Sequence, residues 1–169
     1  MTDKGVLGAV LTGGQSSRFG SNKAEAEWNG RSLAEHAAAL IAQHVDAVVM
    51  LGGEGVADLP RSGLGPLGGI AGALAYAEGN GFDSVLTIGC DMPRVPTALI
   101  WALLRRAPAF CSDAPVLGHW PASLAAQLLC HIESDDRSVR GWAQAIGALP
   151  IESPVPLGNV NTPADLLAL

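Results

Sequence analysis

"VLGAVLT" (residues 6–12) runs straight into "LTGGQSSRFGSNKAE" (residues 11–25), and this junction decides the fold. An apolar run of strand length that ends at paired glycines reads as a buried strand delivering its carboxyl end to a loop. In an open α/β sheet that end faces the crevice where ligands bind. Gly13 and Gly14 allow successive backbone N–H groups to turn toward one anion, and Arg18 and Lys23 add full positive charge. A phosphate chain is the guest such a loop suits. Two common phosphate loops are excluded by spacing. Walker A needs Lys directly after its last glycine, whereas Gly20 is followed by Ser21 and Asn22 before Lys23. The dinucleotide fingerprint needs G-x-G-x-x-G opening a helix, but Gly13 and Gly14 are adjacent and the next helix start is Ser32. Taken alone, the loop also reads as a glycine-rich surface turn carrying unrelated charges.

Working outward, apolar runs of strand length alternate with helix-length periodic segments, the pattern of a parallel sheet covered by helices. "SLAEHAAALIAQH" (residues 32–44) is an amphipathic helix, with Ser32 and Glu35 spaced as a capping box. "DAVVML" (residues 46–51) is a second buried strand that stops at Gly52 and Gly53, and "FDSVLTIG" (residues 82–89) is a third, after a glycine-punctuated helix that begins at Pro66. Further helices are expected at "TALIWALLRRA" with Thr97 as its cap, at "PASLAAQLLCHIE" and at "SVRGWAQAIGA", with "LPIE" as a short late strand. Residues 109–117 read either as an antiparallel edge strand broken by Pro115 or mostly as loop. No repeat or Pro/Ser-rich linker divides the 169 residues, so one domain spanning 1–169 is expected.

Composition narrows the function classes. Roughly half of the residues are apolar and 15% are charged, which excludes intrinsic disorder. A net charge of −6 without a polybasic run argues against nucleic-acid or anionic membrane partners. The three cysteines, Cys90, Cys111 and Cys130, lack the spacing of a disulfide framework or a zinc site. With no signal peptide and no long apolar run, a soluble cytoplasmic protein with reduced thiols is expected.

Three more stretches carry chemistry. "TIGCDMPRVP" delivers Asp91 at the end of a buried strand, where an ionised carboxylate needs a partner. Mg²⁺ is one such partner, since it takes one or two carboxylates plus substrate phosphate oxygens. A turn-capping Asp is the plainer alternative. "GPLGGI" (residues 65–70) places Pro66 at the first position of a helix, where either a ligand or close packing calls for glycine. In "GNVNTPADLLAL", Asn159 and Asn161 bracket Val160, and Thr162 caps a final helix with Pro163 at its first position and Asp165 at its third. Residues two apart in extended chain point to the same side, so both amides can face one ligand, or the segment is an Asn-rich turn.

"LTGGQSSRFGSNK", "GPLGGI", "CDMPRVP" and "NVNTPADL", in this order along nearly the whole chain, resemble the molybdenum cofactor guanylyltransferase family of nucleotidyltransferases. The resemblance implies a three-layer α/β/α, Rossmann-like nucleotidyltransferase fold with a mostly parallel sheet. It implies Mg²⁺-dependent transfer of GMP from GTP to the phosphate of molybdopterin, with pyrophosphate leaving and with handover proteins for the molybdenum cofactor as partners. By the same resemblance Asp91 is the metal-binding residue, and Arg18 and Lys23 act with it on the phosphates. Leu11, Thr12, Gly13, Gly14, Asp58, Gly65, Pro66 and Leu67 line the nucleotide, and Asn159 and Asn161 the acceptor. A phosphate monoester is already anionic at neutral pH, so no Ser-His-Asp or Cys-His set is needed. The chain departs from the family at Leu51, Gly52 and Gly53, where a polar residue, commonly Asn, is usual, and in a shorter middle region. Two alternatives stand beside this reading: a cytidylyl- or other nucleotidyltransferase with a different phosphorylated acceptor, and a non-catalytic nucleotide-binding homologue. His119, next to Trp120 and Pro121, is read as packing rather than as a substrate contact. Trp28 is a pocket candidate by its closeness to Lys23.

Overall fold

The computed structural model describes residues 5–12 and 22–169. In chain order the elements are β1 (Val6–Leu11), a 3-10 turn (Lys23–Glu25), β2 (Glu27–Trp28), β3 (Arg31–Ser32), α1 (Leu33–Ala42), β4 (Ala47–Leu51) and α2 (Pro66–Asn80). There follow β5 (Ser84–Gly89), α3 (Thr97–Leu104), β6 (Ala109–Cys111), β7 (Gly118–Pro121), a second 3-10 turn (Ala122–Leu124), α4 (Ala125–Ile132), α5 (Val139–Ala145), β8 (Leu149–Ile151) and α6 (Pro163–Leu167). Among the described residues six strands form one sheet in the order β4-β1-β5-β7-β6-β8, while β2 and β3 pair separately. All strands of the large sheet run one way except β7, which is antiparallel to both β5 and β6.

The three-layer arrangement follows from side-chain alternation along the central strands. On β1, Leu7, Ala9 and Leu11 join a core with Leu67, Ile70 and Leu74 of α2, Leu128 of α4 and Trp142 of α5. Val10 of β1, with Leu86 and Ile88 of β5, faces the other way, onto Ala37 and Ile41 of α1 and Leu99, Ile100 and Leu103 of α3. Residues one apart serve opposite faces, so a continuous apolar run is required to bury both. Every residue of β5 is buried. Trp120 and Trp142 stack at 4.7 Å between ring centroids, and the Trp120 indole N–H donates to Thr87 Oγ1 at 2.9 Å, so the ring's polar atom is satisfied inside the core.

Local signals explain most boundaries. Ser32 accepts from the Glu35 amide and Glu35 from the Ser32 amide, closing the expected capping box of α1. α2 ends where Gly81 adopts a left-handed φ of 81°. Three expectations are corrected. Thr97 does not cap α3: Pro96 holds the extended cap position, and Thr97 is already the first helical residue. Residues 109–117 are mostly loop, the second of the two alternatives, and the edge strand is corrected: the short strand β6 that opens them is interior, between β7 and β8. The helix expected from Pro121 begins only at Ala125, because residues 118–121 pair with β5 as β7. Among the described residues no helix is long and apolar enough to cross a membrane.

Candidate active site

Chain order sends the connection from β1 to β4 on one side and places β5 on the other, so the sheet's switch point lies between the ends of β1 and β5. Backbone bonds knit these ends together. The Cys90 amide donates to the Leu11 carbonyl at 3.1 Å, and Thr12 donates both its amide, at 3.1 Å, and its hydroxyl to the Leu51 carbonyl. Asp91 leaves β5 at this crevice. A Cβ built on Gly89 would lie 2.5 Å from Asp91 Oδ1, so the glycine leaves the space into which the carboxylate folds back. The Asp91 carbonyl accepts from the Val160 amide at 2.8 Å, which brings the C-terminal segment to the same place.

Lys23 opens a 3-10 turn whose preceding residue, Asn22, accepts from the Ala24 amide. Its ammonium lies 3.5 Å from Asp91 Oδ2 and donates to Asn161 Oδ1 at 3.1 Å. The Lys23 side chain is 12% exposed and that of Asp91 30%, so the ion pair is partly desolvated yet open to a ligand on the carboxylate side. Beside it, burial and then the Asp91 charge push the Cys90 thiol up to about 11, with Lys23 opposing. The thiol is therefore neutral and no nucleophile at physiological pH.

The remaining expected residues fall into three places. Asp58 packs against the first turn of α2, where Cβ atoms built on Gly68 and Gly69 would lie 3.5 Å from Asp58 Cβ and 3.7 Å from Asp58 Oδ1. Desolvation raises its pKa above the ordinary aspartate value. Gly65, with φ 69°, precedes Pro66 at the same helix start; both are exposed, whereas Leu67 is wholly buried. A Cβ on Gly69 would also strike Leu11 Cδ2 at 2.8 Å, so Asp58, the start of α2 and the end of β1 are contiguous. Asn159 lines a groove of about 510 Å³ with Asp113, Ser153 and Leu157, whereas Asn161 meets Lys23. Val160 between them is fully buried. Gly13, Gly14 and Arg18 lie outside the described residues.

His119 packs as expected: its Nδ1–H donates to the Arg106 carbonyl at 2.7 Å and its Nε2 accepts from Ser84 Oγ at 2.8 Å, inside the core. Trp28 is covered by His36, 4.7 Å away, and by the Arg94 guanidinium, 5.3 Å above its ring. Sequence reasoning missed Gly89, whose signal was its place two residues before Asp91, and the second task of Asp165. Beyond capping α6, the Asp165 carboxylate accepts from the Asn161 amide at 2.9 Å and the Thr162 amide at 2.8 Å.

Among the described residues no group of three or more His, Cys, Asp or Glu side chains gathers to enclose a metal. The donor set fits Mg²⁺ nonetheless. One carboxylate at a strand end suffices when phosphate oxygens and waters complete the shell, and the Lys23 ammonium already stands against that carboxylate as a cation.

A mostly parallel α/β sheet with a cation and a lone carboxylate at its switch point defines a nucleotide-handling transferase. Residues 8–148 match the MobA-like NTP transferase domain family, and the chain belongs to it. The molybdenum cofactor guanylyltransferase of Rhizobium leguminosarum bv. trifolii is 33% identical over 95% of this chain and 90% of its own length. That of Rhodobacter capsulatus is 31% identical over 95% and 93%. Among solved structures, the molybdopterin-guanine dinucleotide biosynthesis protein A of Archaeoglobus fulgidus shares the fold with a TM-score of 0.71, at 22% identity over 96% of this chain and 95% of that one. The chain is a nucleotidyltransferase.

Proposed function

We propose that this protein transfers GMP from GTP to the phosphate of molybdopterin and that the reaction depends on Mg²⁺; relatives named molybdenum cofactor guanylyltransferase support the reading. The observation that carries the reading is the meeting of Lys23 with Asp91 at the switch point of the sheet. An oxygen of the acceptor phosphate attacks the α-phosphorus of GTP. The bond from that phosphorus to the bridging oxygen breaks, and pyrophosphate leaves. The attacking oxygen is already ionised, so the chain supplies no general base. Its work is positioning and charge neutralisation.

Asp91 would hold Mg²⁺, which when bound offsets charge on the phosphate oxygens. Lys23 is the cation for the transferred phosphoryl and the departing pyrophosphate, and Arg18 joins it. Leu11 to Gly14, Asp58 and the Gly65 to Leu67 turn form the nucleotide side. Asn159, in its own groove, is the amide offered to the acceptor. Asp91→Ala should lower kcat/KM by about 10²–10³-fold, read as pyrophosphate release from GTP, Mg²⁺ and molybdopterin. Release at the parental rate would refute the assignment.

One observation favours another base. Leu51 is almost wholly buried and its carbonyl is taken by Thr12, so the end of β4 presents no polar side chain to guanine. On that ground a cytidylyltransferase with a different phosphorylated acceptor is the second reading. Thermal shifts with GTP, CTP, UTP and ATP separate the two.

A further inference from the structure

Lys23 carries its charge on a flexible four-carbon stem, and the carboxylate nearest to it is the one expected to take the metal. Facing Asp91 alone, the ammonium would settle on that carboxylate and compete with a cation for it. A second acceptor shares the ammonium. Asn161 Oδ1 takes one ammonium proton at 3.1 Å, closer than Asp91 Oδ2 at 3.5 Å, and it does so without adding negative charge. The two residues are 138 positions apart in the chain, so the contact exists only because the C-terminal segment is fixed against the crevice.

Two anchors fix it. Val160 is fully buried and its amide donates to the Asp91 carbonyl at 2.8 Å, which sets the segment against the residue at the end of β5. On the other side of Asn161, the Asp165 carboxylate accepts from the Asn161 amide at 2.9 Å and from the Thr162 amide at 2.8 Å. A helix cap needs only the bond to its own cap residue. The additional bond, to Asn161, pins the backbone of the residue that holds Lys23.

We infer that Asn161 and Asp165 are positioning residues for Lys23. Asn161 holds the ammonium beside the metal carboxylate rather than on it, and Asp165 fixes Asn161. The inference rests on the proposed function, in which Lys23 meets the phosphates of a nucleoside triphosphate. It moves Asn161 from the acceptor side of the site to the nucleotide side.

Calorimetric titration of GTP with Mg²⁺, with no acceptor present, tests it on the full chain. Lys23→Met should weaken binding most. Asn161→Leu and Asp165→Ala should each weaken it about tenfold or more, the scale of one lost hydrogen bond to a charged group. Thr162→Ala removes the other half of the α6 cap but leaves both amides on the Asp165 carboxylate. It should lower the melting temperature while keeping affinity within about twofold of the parent, less than one hydrogen bond is worth. Asp165→Asn, which keeps the shape of the cap, should fall between the parent and Asp165→Ala, and it serves if the alanine variant does not fold. Parental affinity in both Asn161→Leu and Asp165→Ala overturns the inference. So does a Thr162→Ala variant that loses as much affinity as Asp165→Ala. An Asn161→Leu variant whose only change is a raised KM for the acceptor also overturns it. If Lys23→Met itself binds GTP and Mg²⁺ like the parent, the fault lies with the functional reading and not with the positioning alone.

Discussion

At the scale of single residues, the site depends on one absent side chain as much as on those present. A methyl group on Gly89 would sit 2.5 Å from Asp91 Oδ1, a distance real Cβ contacts do not reach, so Gly89→Ala must turn the carboxylate out of its place. Because the atom that must move is the far end of a flexible, part-exposed side chain, denaturant unfolding should change little, within about 1 kcal/mol, while Mg²⁺-dependent GTP affinity falls. Unchanged affinity would show that the carboxylate is not confined there. The neighbouring thiol gives a second test. Cys90 and Cys111 are buried, only Cys130 is exposed, and burial holds Cys90 at about 11, so the native protein should react with one equivalent of a thiol reagent at pH 8. The other two should react only on unfolding. Asp91 was legible in the sequence because a charge placed just past an apolar run requires a partner, and Lys23 because it follows a glycine-rich stretch suited to an anion. Gly89 and Asp165 were not: one acts by leaving space, the other through an amide that only tertiary contact brings to Lys23.

Elements show which signals are local. The capping boxes at Ser32 with Glu35 and at Thr162 with Asp165 were readable as spacings and are formed. β7 was not readable, because "GHWP" is short and bounded by glycine and proline, and only its pairing with β5 makes it a strand. α2 illustrates a conflict of magnitudes. Replacing Gly72 by Ala gains about 1 kcal/mol of helix propensity, yet the new Cβ would lie 2.2 Å from the Ala57 carbonyl oxygen, which is backbone and cannot turn aside. The steric cost wins, and Gly72→Ala should destabilise the fold by about 1–3 kcal/mol in denaturant unfolding. At α6 the backbone N–H of Asn161, then the Thr162 side chain, hold the Asp165 carboxyl below its ordinary 3.8. A depressed folded value means that this contribution is present above the unfolded pKa and is lost as pH falls through the folded one. The amide protons of Asn161 and Thr162 should therefore titrate together with a midpoint below 3.8 in an NMR pH series. A midpoint at or above that value would mean that the bonds are not kept in solution.

For the whole molecule, the alternation of apolar runs with amphipathic segments fixed a parallel sheet between helix layers, since only burial on both faces explains strands without polar residues. The position of the antiparallel β7 between β5 and β6 lay beyond that pattern, because strand order depends on which edge each helix crosses. The order that results gathers the ends of β1, β4 and β5 with the C-terminal segment around one crevice, where Cys90 bonds Leu11, Thr12 bonds Leu51 and Val160 bonds Asp91. A ligand spanning these ends ties together segments that otherwise meet through a few hydrogen bonds, so binding should report as global stability. At a free concentration of about 100 times Kd, GTP with Mg²⁺ should add about 2.7 kcal/mol. For a chain of this length that corresponds to a rise of about 5–11 °C in Tm. In Asp91→Asn the lone carboxylate is gone while Lys23 keeps its bond to Asn161, so GTP should still raise Tm, by less, and adding Mg²⁺ should change it no further. If Mg²⁺ raises the Tm of the Asp91→Asn protein with GTP as far as it raises that of the parent, the metal is held elsewhere and the crevice at the end of β5 is not its site.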